Sequence, residues 1–227
     1  MLLTMMGIGH PCMHRWKEYM ENLCKTSGQN ESGAGKKIFW GIGTLIACVL
    51  LAAGYFLFAR PALLKLRYKL EYEDVILHQA EESNLDPALV ASVIFCESGY
   101  DKNAKSPVGA RGLMQLMPAT AQEVAGWLEL AGYSESMLTD PEVNIRLGCR
   151  YLAYLIEEMG SVRAAVCAYN AGPGKTRSWI REYGEDKEGG PLYIPYPETE
   201  KYVKKVLSTC RVYRNLYPEL TAAPTAE

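Results

Sequence analysis

The sequence predicts an all-α domain of roughly 150 residues preceded by a single N-terminal transmembrane helix. Three observations predict it. Residues 38–58 carry no charged side chain. Beyond Lys69, apolar residues recur at helical spacing, with no sustained alternating run and no internal repeat. Two helix starts are announced by an Asp followed by Pro, at Asp86-Pro87 and Asp140-Pro141.

Residues 1–37 hold five basic and three acidic side chains. His10, Cys12, His14 and Cys24 lie among them at a spacing that fits no standard zinc pattern, so a flexible tail without a metal is expected. Residues 38–58 follow, 21 positions in which Thr44 is the only ordinary polar side chain. At about 1.5 Å per residue they reach across a hydrocarbon core of about 30 Å. A secretory signal has a shorter apolar run and a shorter leader. Three readings compete with an anchor: cleavage near the small Ala52 and Gly54, a lipoprotein-like box at Leu45-Ile46-Ala47-Cys48, and a buried core helix. Either cleavage leaves the apolar Tyr55 to Phe58 at the start of the mature chain, so the expectation is an uncleaved anchor. Lys25, Lys36 and Lys37 before the span are matched by Arg60, Lys65, Arg67 and Lys69 after it. The positive-inside rule therefore leaves orientation to be set by function.

Residues 59–69 read as a basic linker, 70–218 as the folded domain and 219–227 as a C-terminal tail. From Leu70 onward there are 15 basic and 23 acidic residues, a formal charge of -8. Such a body lacks the positive footprint from which nucleic-acid binding is argued, and nucleic acid is not expected as a partner. The expected helices run from near Tyr72 to Glu82, from Pro87, from Pro118, from Pro141 to a stop at Gly160, and from about Ser161 to Tyr169. A last one carries Val203, Val206, Leu207, Cys210, Tyr213 and Tyr217 and ends before Pro218. Cys96, Cys149, Cys167 and Cys210 sit among apolar residues and read as small buried hydrophobes. A disulfide among them is allowed outside the cytoplasm, without a pairing the sequence selects.

In the Pro87 helix, Val90, Val93 and Ile94 fall at i, i+3 and i+4, and Glu97 takes the i+7 place on the same face. A carboxyl group is thereby aimed at apolar surroundings. Burial disfavours its charged form, which raises the pKa toward what a general acid needs near neutral pH. The plain alternative is a Glu that reaches water or pairs with Lys102 or Arg111. After the turn-like Ser98-Gly99-Tyr100-Asp101 comes Ser106-Pro107-Val108-Gly109-Ala110-Arg111-Gly112-Leu113-Met114-Gln115-Leu116-Met117-Pro118, a loop suited to lining a groove beside that helix end. Some of Leu113, Met114, Leu116 and Met117 must be core whatever the function. Further on, Ala168-Tyr169-Asn170-Ala171-Gly172 closes a helix. Gly174-Lys175-Thr176 suggests a phosphate loop, but that motif needs Gly where Tyr169 stands.

Taken in order, Glu97-Ser98, the Gly109 to Pro118 block, Ala168-Tyr169-Asn170-Ala171-Gly172, and Glu198-Thr199 with Tyr202 resemble the signature blocks of the family 1 lytic transglycosylases, the lysozyme-like enzymes that cleave peptidoglycan. The resemblance spans roughly Tyr72 to Tyr217. It implies a lysozyme-like α-helical catalytic domain, no cofactor and no metal, and peptidoglycan glycan strands as substrate. It implies Glu97 as sole acid and base for the β-1,4 bond between N-acetylmuramic acid and N-acetylglucosamine, with the muramic acid C6 hydroxyl closing a 1,6-anhydro ring. By the same resemblance Ser106 and Gln115 bind sugar hydroxyls or acetamido groups, and Met117 packs on a ring. Tyr169 and Asn170 steady Glu97 and the N-acetyl group, Glu198 meets the peptide stem, and Tyr202 hydrogen-bonds near Glu97. A hydrolytic muramidase of the goose-lysozyme kind and a wall-binding module without turnover are the competing readings. A wall substrate places residues 1–37 in the cytoplasm and the domain outside a single-pass cell membrane anchor.

Overall fold

The computed structural model describes residues 17–19, 21–22 and 33–221. His10, Cys12, His14 and Cys24 lie outside the described residues. Contacts divide the chain into two units, Met1–Arg60 and Pro61–Glu227. In the first, helix α1 (Gly33–Gly54) runs into a π-helical segment, Tyr55–Ala59, where the Arg60 N–H reaches back to Tyr55 O. Helix α2 (Arg60–Arg67) belongs, but for its first residue, to the second unit, so most of the basic segment read as a linker is helical. The stretch Trp40–Arg67 is long and apolar enough to cross a membrane by length and composition. Its large side chains, among them Leu45, Leu50, Phe56 and Phe58, are exposed, which contradicts the buried-core-helix reading.

The second unit is helical, and among the described residues its β pairing is confined to three isolated bridges. Its helices are α3 (Glu73–Glu82), α4 (Pro87–Glu97), α5 (Pro118–Trp127), α6 (Pro141–Met159), α7 (Val162–Ala171), α8 (Pro173–Tyr183) and α9 (Pro197–Leu216). The two announced starts hold: Asp86 accepts from the Ala88 N–H at 2.9 Å and Asp140 from the Val143 N–H at 3.1 Å. Helix α6 stops at Gly160 in the left-handed region, φ 73°. Leu220, which the sequence reading placed in the C-terminal tail, is buried in the core.

Helix α4 differs from its expected amphipathic character. Every residue from Ala88 to Ile94 is buried, and the one polar side chain among them, Ser92, donates to Leu89 O at 2.7 Å. A helix apolar on all sides belongs at the centre of a domain. Helix α9 packs along it and α3 flanks it. Tyr213 and Tyr217 of the α9 end donate to Lys69 O at 2.6 Å and Tyr68 O at 2.8 Å, tying the chain entry to the same core. Arg214 pairs with the Asp86 cap at the far end of α4.

Helix α8 is a departure from expectation. Gly172 does end α7, but Pro173 opens a new helix at once, Gly172 taking φ 89° between the two. Its buried Thr176 and Trp179 carry the inward face. Pro after a glycine stop was the missed start signal.

The loop 104–117 is held by Asn144, which is fully buried on α6. Its Oδ1 accepts from Met114 N–H at 2.8 Å, and its Nδ2 donates to Leu138 O at 2.9 Å and Arg111 O at 3.1 Å. Two glycines make room. A Cβ on Gly112 (φ +77°) would lie 2.1 Å from Leu138 O, and one on Gly148 would lie 2.1 Å from Met114 Sδ. Replacing Asn144 with Ala strands the buried Met114 N–H and Leu138 O, each costing about 1–3 kcal/mol when unpaired, whereas Arg111 O keeps the Leu116 N–H at 3.1 Å. We expect Asn144→Ala to lose about 3 kcal/mol or more in urea unfolding; a loss under about 1 kcal/mol would show that this amide is dispensable.

Candidate active site

Glu97 is the last residue of α4, so a helix buried from Ala88 to Ile94 delivers a carboxyl group to the domain surface, where it remains half-buried. Tyr202, one and a half turns into α9, donates its hydroxyl to Glu97 Oε1 at 2.6 Å. Burial pushes the Glu97 carboxyl up to about 7, against the lowering effects of the Tyr202 hydrogen bond and the Lys205 charge. Lys205 also donates to Cys96 O at 3.4 Å, on the last turn of α4. The expected alternative partner Arg111 pairs instead with Glu135. Lys205 was missed in the sequence, although it lies at i+3 from Tyr202 and therefore near the same helix face.

Ser98 fastens this helix end to the loop. Its hydroxyl donates to Leu113 O at 2.8 Å and accepts from the Tyr100 N–H at 3.1 Å. Tyr169 at the end of α7 donates to Met114 O at 2.8 Å from the other side. Burial holds the Tyr169 and Tyr202 phenols well above their ordinary pKa, and the Glu97 charge adds to it, so both remain hydrogen-bond donors. The loop's four apolar residues divide as follows: Leu113, Met114 and Leu116 are core, whereas Met117 is 41% exposed at the start of α5.

The other predicted residues differ in what they leave free. Ser106 Oγ accepts from the Ala110 N–H at 2.9 Å, closing its own turn. Gln115, at φ 48°, spends its NH2 group on Ala104 O (3.1 Å) and Gly112 O (2.9 Å). Asn170 is exposed, and its Oδ1 accepts from the buried Thr199 hydroxyl at 2.8 Å. Thr199 thus orients Asn170, a role its place beside Glu198 in the sequence did not disclose. Glu198 is exposed on the first turn of α9. Glu97, Tyr169 and Tyr202 come together, with Met114 and Leu113 carbonyls behind them; Asn170 is joined through Thr199.

The domain's cysteines are free thiols. Cys96, beside Glu97, is pushed up to about 11 by burial, so it stays a protonated and weakly nucleophilic neighbour.

A half-buried carboxyl group at a helix end, with the Tyr202 and Tyr169 phenols beside it, is the centre of the candidate site on this helical domain. The family model described as "Transglycosylase SLT domain" matches residues 74–189, half of the chain, and the chain belongs to that family. The soluble lytic murein transglycosylase of Escherichia coli (strain K12) is 37% identical over 152 residues, 65% of this chain and 24% of that protein. The membrane-bound lytic murein transglycosylase C of Edwardsiella ictaluri is 31% identical over 172 residues, 64% of this chain and 47% of that protein. Among solved structures, the 70 kDa soluble lytic transglycosylase of Escherichia coli superposes with a TM-score of 0.62 at 36% identity, covering 70% of this chain and 27% of that one. An inactive Glu-to-Gln mutant of the Pseudomonas aeruginosa Slt gives 0.61 at 33% identity, covering 67% and 25%. The chain matches about a quarter of the length of the soluble curated relatives.

Because the folded-state carboxyl is raised from 4.5 to about 7, it contributes fully below the unfolded pKa and costs stability as pH rises through about 7. Glu97→Gln should therefore unfold like the parent at pH 4 and be more stable by roughly 1–3 kcal/mol at pH 8. Paired urea melts at the two pH values measure this; an equal or lower stability of the variant at pH 8 would place Glu97 in water.

Proposed function

We propose that this protein is a peptidoglycan lytic transglycosylase that cuts the β-1,4 bond between N-acetylmuramic acid and N-acetylglucosamine and leaves a 1,6-anhydromuramic acid end. The observation that carries the reading is the half-buried Glu97 carboxyl, poised near neutrality by burial and held by Tyr202. The relatives' names as lytic murein transglycosylases and the inactivity of a Glu-to-Gln mutant in the Pseudomonas neighbour support it.

Glu97 gives its proton to the glycosidic oxygen as the bond to C1 breaks. The carboxylate so formed is stabilised by the Tyr202 hydroxyl and by the Lys205 charge, both of which favour the ionised form. It then takes the proton of the muramic acid C6 hydroxyl while that oxygen bonds to C1. The acid is regenerated and no water is added. Two-carboxylate hydrolases place their second group about 5–9.5 Å from the first. A tethered hydroxyl makes one unnecessary, because it attacks at high effective molarity without activation of a water.

Around this centre, Met117 supplies an exposed apolar surface for a sugar ring, and Gln115 Oε1 and Ser106 accept from sugar hydroxyls. Thr199 occupies the Asn170 oxygen and frees its NH2 group to donate to an N-acetyl carbonyl. Tyr169 steadies the wall behind Glu97, and the exposed Glu198 meets a peptide stem. Residues 38–58 anchor the protein in the cell membrane, with residues 1–37 in the cytoplasm and the catalytic domain facing the wall, where its polymer lies.

Mass spectrometry of fragments released from purified sacculi tests the reaction. The wild type should release anhydro-ended muropeptides and Glu97→Gln at least about 100-fold less, with kcat/KM falling as pH rises through about 7 because the acid loses its proton. Reducing-end muramic acid in the products would make the enzyme a hydrolase, and binding without release would make it a wall-binding module. For topology, a tag placed after Glu227 should be digested by protease on intact spheroplasts; protection would reverse the orientation.

A further inference from the structure

Helix α2 is apolar on two opposite sides. Pro61, Leu64 and Tyr68 are half-buried, the last two against the core of the domain. Ala62, Leu63 and Leu66 are exposed, Leu63 at 58% and Leu66 at 81%. At about 100° per residue the exposed three form a stripe facing away from the buried three, with Lys65 on one border and Arg67 on the other. The two cations rest on aromatic rings, Lys65 4.9 Å from the Tyr217 centroid and Arg67 5.8 Å from that of Tyr68. Glu71, the carboxylate next in sequence, is taken by Lys69 at 2.8 Å. An exposed leucine stripe between two cations is the pattern of a helix that lies in a membrane interface.

Sequence and charge say what covers this stripe. The chain reaches α2 directly from the uncharged residues 38–58, which end in Tyr55, Phe56 and Phe58. Aromatic residues collect at headgroup level. Leu66 follows Phe58 by eight residues, at most about 28 Å of extended chain. Residues 61–69 hold three basic side chains and no acidic one, whereas the chain from Leu70 onward has a formal charge of -8. An anionic surface therefore attracts the α2 edge of the domain and repels the remainder, within about a Debye length. Opposing the attraction are Glu73 and Glu219, whose charges reach the Tyr217 phenol on which Lys65 rests. The leucines add apolar contact that those charges do not cancel.

We propose that the outward face of α2 docks the catalytic domain itself onto a bilayer of anionic phospholipid, with Leu63 and Leu66 among the upper acyl carbons and Lys65 and Arg67 against lipid phosphates. This contact is additional to the anchoring by residues 38–58, on which it rests. Its consequence for function follows from how α2 is fastened. The Tyr217 hydroxyl donates to Tyr68 O at 2.8 Å and the Tyr213 hydroxyl to Lys69 O at 2.6 Å, so the end of α2 is tied to the domain rather than joined by a free linker. The Tyr68 ring packs 5.1 Å from that of Phe95, two residues before Glu97. A docked α2 thus fixes the height of Glu97 above the membrane and favours glycan strands close to the bilayer.

The test places the full chain in nanodiscs of phosphatidylcholine alone and of an equimolar phosphatidylcholine–phosphatidylglycerol mixture, and follows amide hydrogen exchange by mass spectrometry. In the anionic discs the peptide covering residues 61–70 should exchange about tenfold more slowly than in the neutral ones, an effect within reach of two basic contacts at a charged surface. Salt at about 1 M should remove the difference. Lys65→Gln combined with Arg67→Gln should abolish the dependence on lipid charge, and Leu66→Ser should speed exchange in the anionic discs. In every variant the α4 peptide covering Ala88–Ile94 should exchange as in the parent, which reports an intact domain. Equal exchange of residues 61–70 in the two kinds of disc would overturn the proposal. So would protection that follows the number of chains per disc whatever the lipid, since a second copy would then cover α2. A chain that enters neither disc would remove the anchor and the proposal with it, whereas entry without protection of α2 sinks the docking alone.

Discussion

A carboxyl group carried to the surface on the end of a helix whose middle is buried on all sides is the constraint around which this domain is arranged. Helix α4 has no polar face to lose, so its position is fixed by packing on every side, and Glu97 inherits that fixity. At the same time the apolar surroundings oppose ionisation, and the Tyr202 hydroxyl and the Lys205 ammonium oppose them in turn. The result is a group near the midpoint of its titration at neutral pH, where it can both give a proton and take one back. Burying the carboxyl more deeply, without Tyr202 and Lys205, would leave an acid that cannot release its proton; exposing it would leave a carboxylate that has already lost it.

The rest of the site depends on holding the loop 104–117 against that helix end. Ser98 does so from the helix, Tyr169 from α7 and Asn144 from α6, each through a carbonyl or N–H of the stretch Arg111–Met114. Gly112 and Gly148 allow the approach, since a methyl group at either place would collide with Leu138 or Met114. The same loop leaves Met117 outside and Leu113, Met114 and Leu116 inside. Side chains of one apolar block are thus divided between the core and the surface.

Much of this was legible in the sequence because it rests on local signals. Asp before Pro announced α4 and α6, glycine after Met159 announced the stop of α6, and the i+7 placement of Glu97 announced a carboxyl in apolar surroundings. Of the residues in the signature blocks, Glu97, Tyr169 and Tyr202 are the ones the fold brings together. What could not be read was long-range. Asn144 is an ordinary polar residue in a helix until the loop folds over it, Thr199 gains its role only when α9 meets α7, and Lys205 becomes a partner of Glu97 only through helix packing. Helix α4 was read as amphipathic because three apolar positions fit one face; the remaining apolar residues made it central. Helix α8 was missed because a glycine stop concealed the proline start directly behind it.

The central claim is that Glu97 keeps its proton close to neutrality in the folded chain. A carbon-13 NMR titration of the glutamate side-chain carboxyls, with Glu97→Gln to assign the resonance, measures it directly. The account predicts a midpoint for Glu97 near 7. A midpoint near the ordinary 4.5 would mean that water reaches the carboxyl freely, and the proton donor described here would not exist.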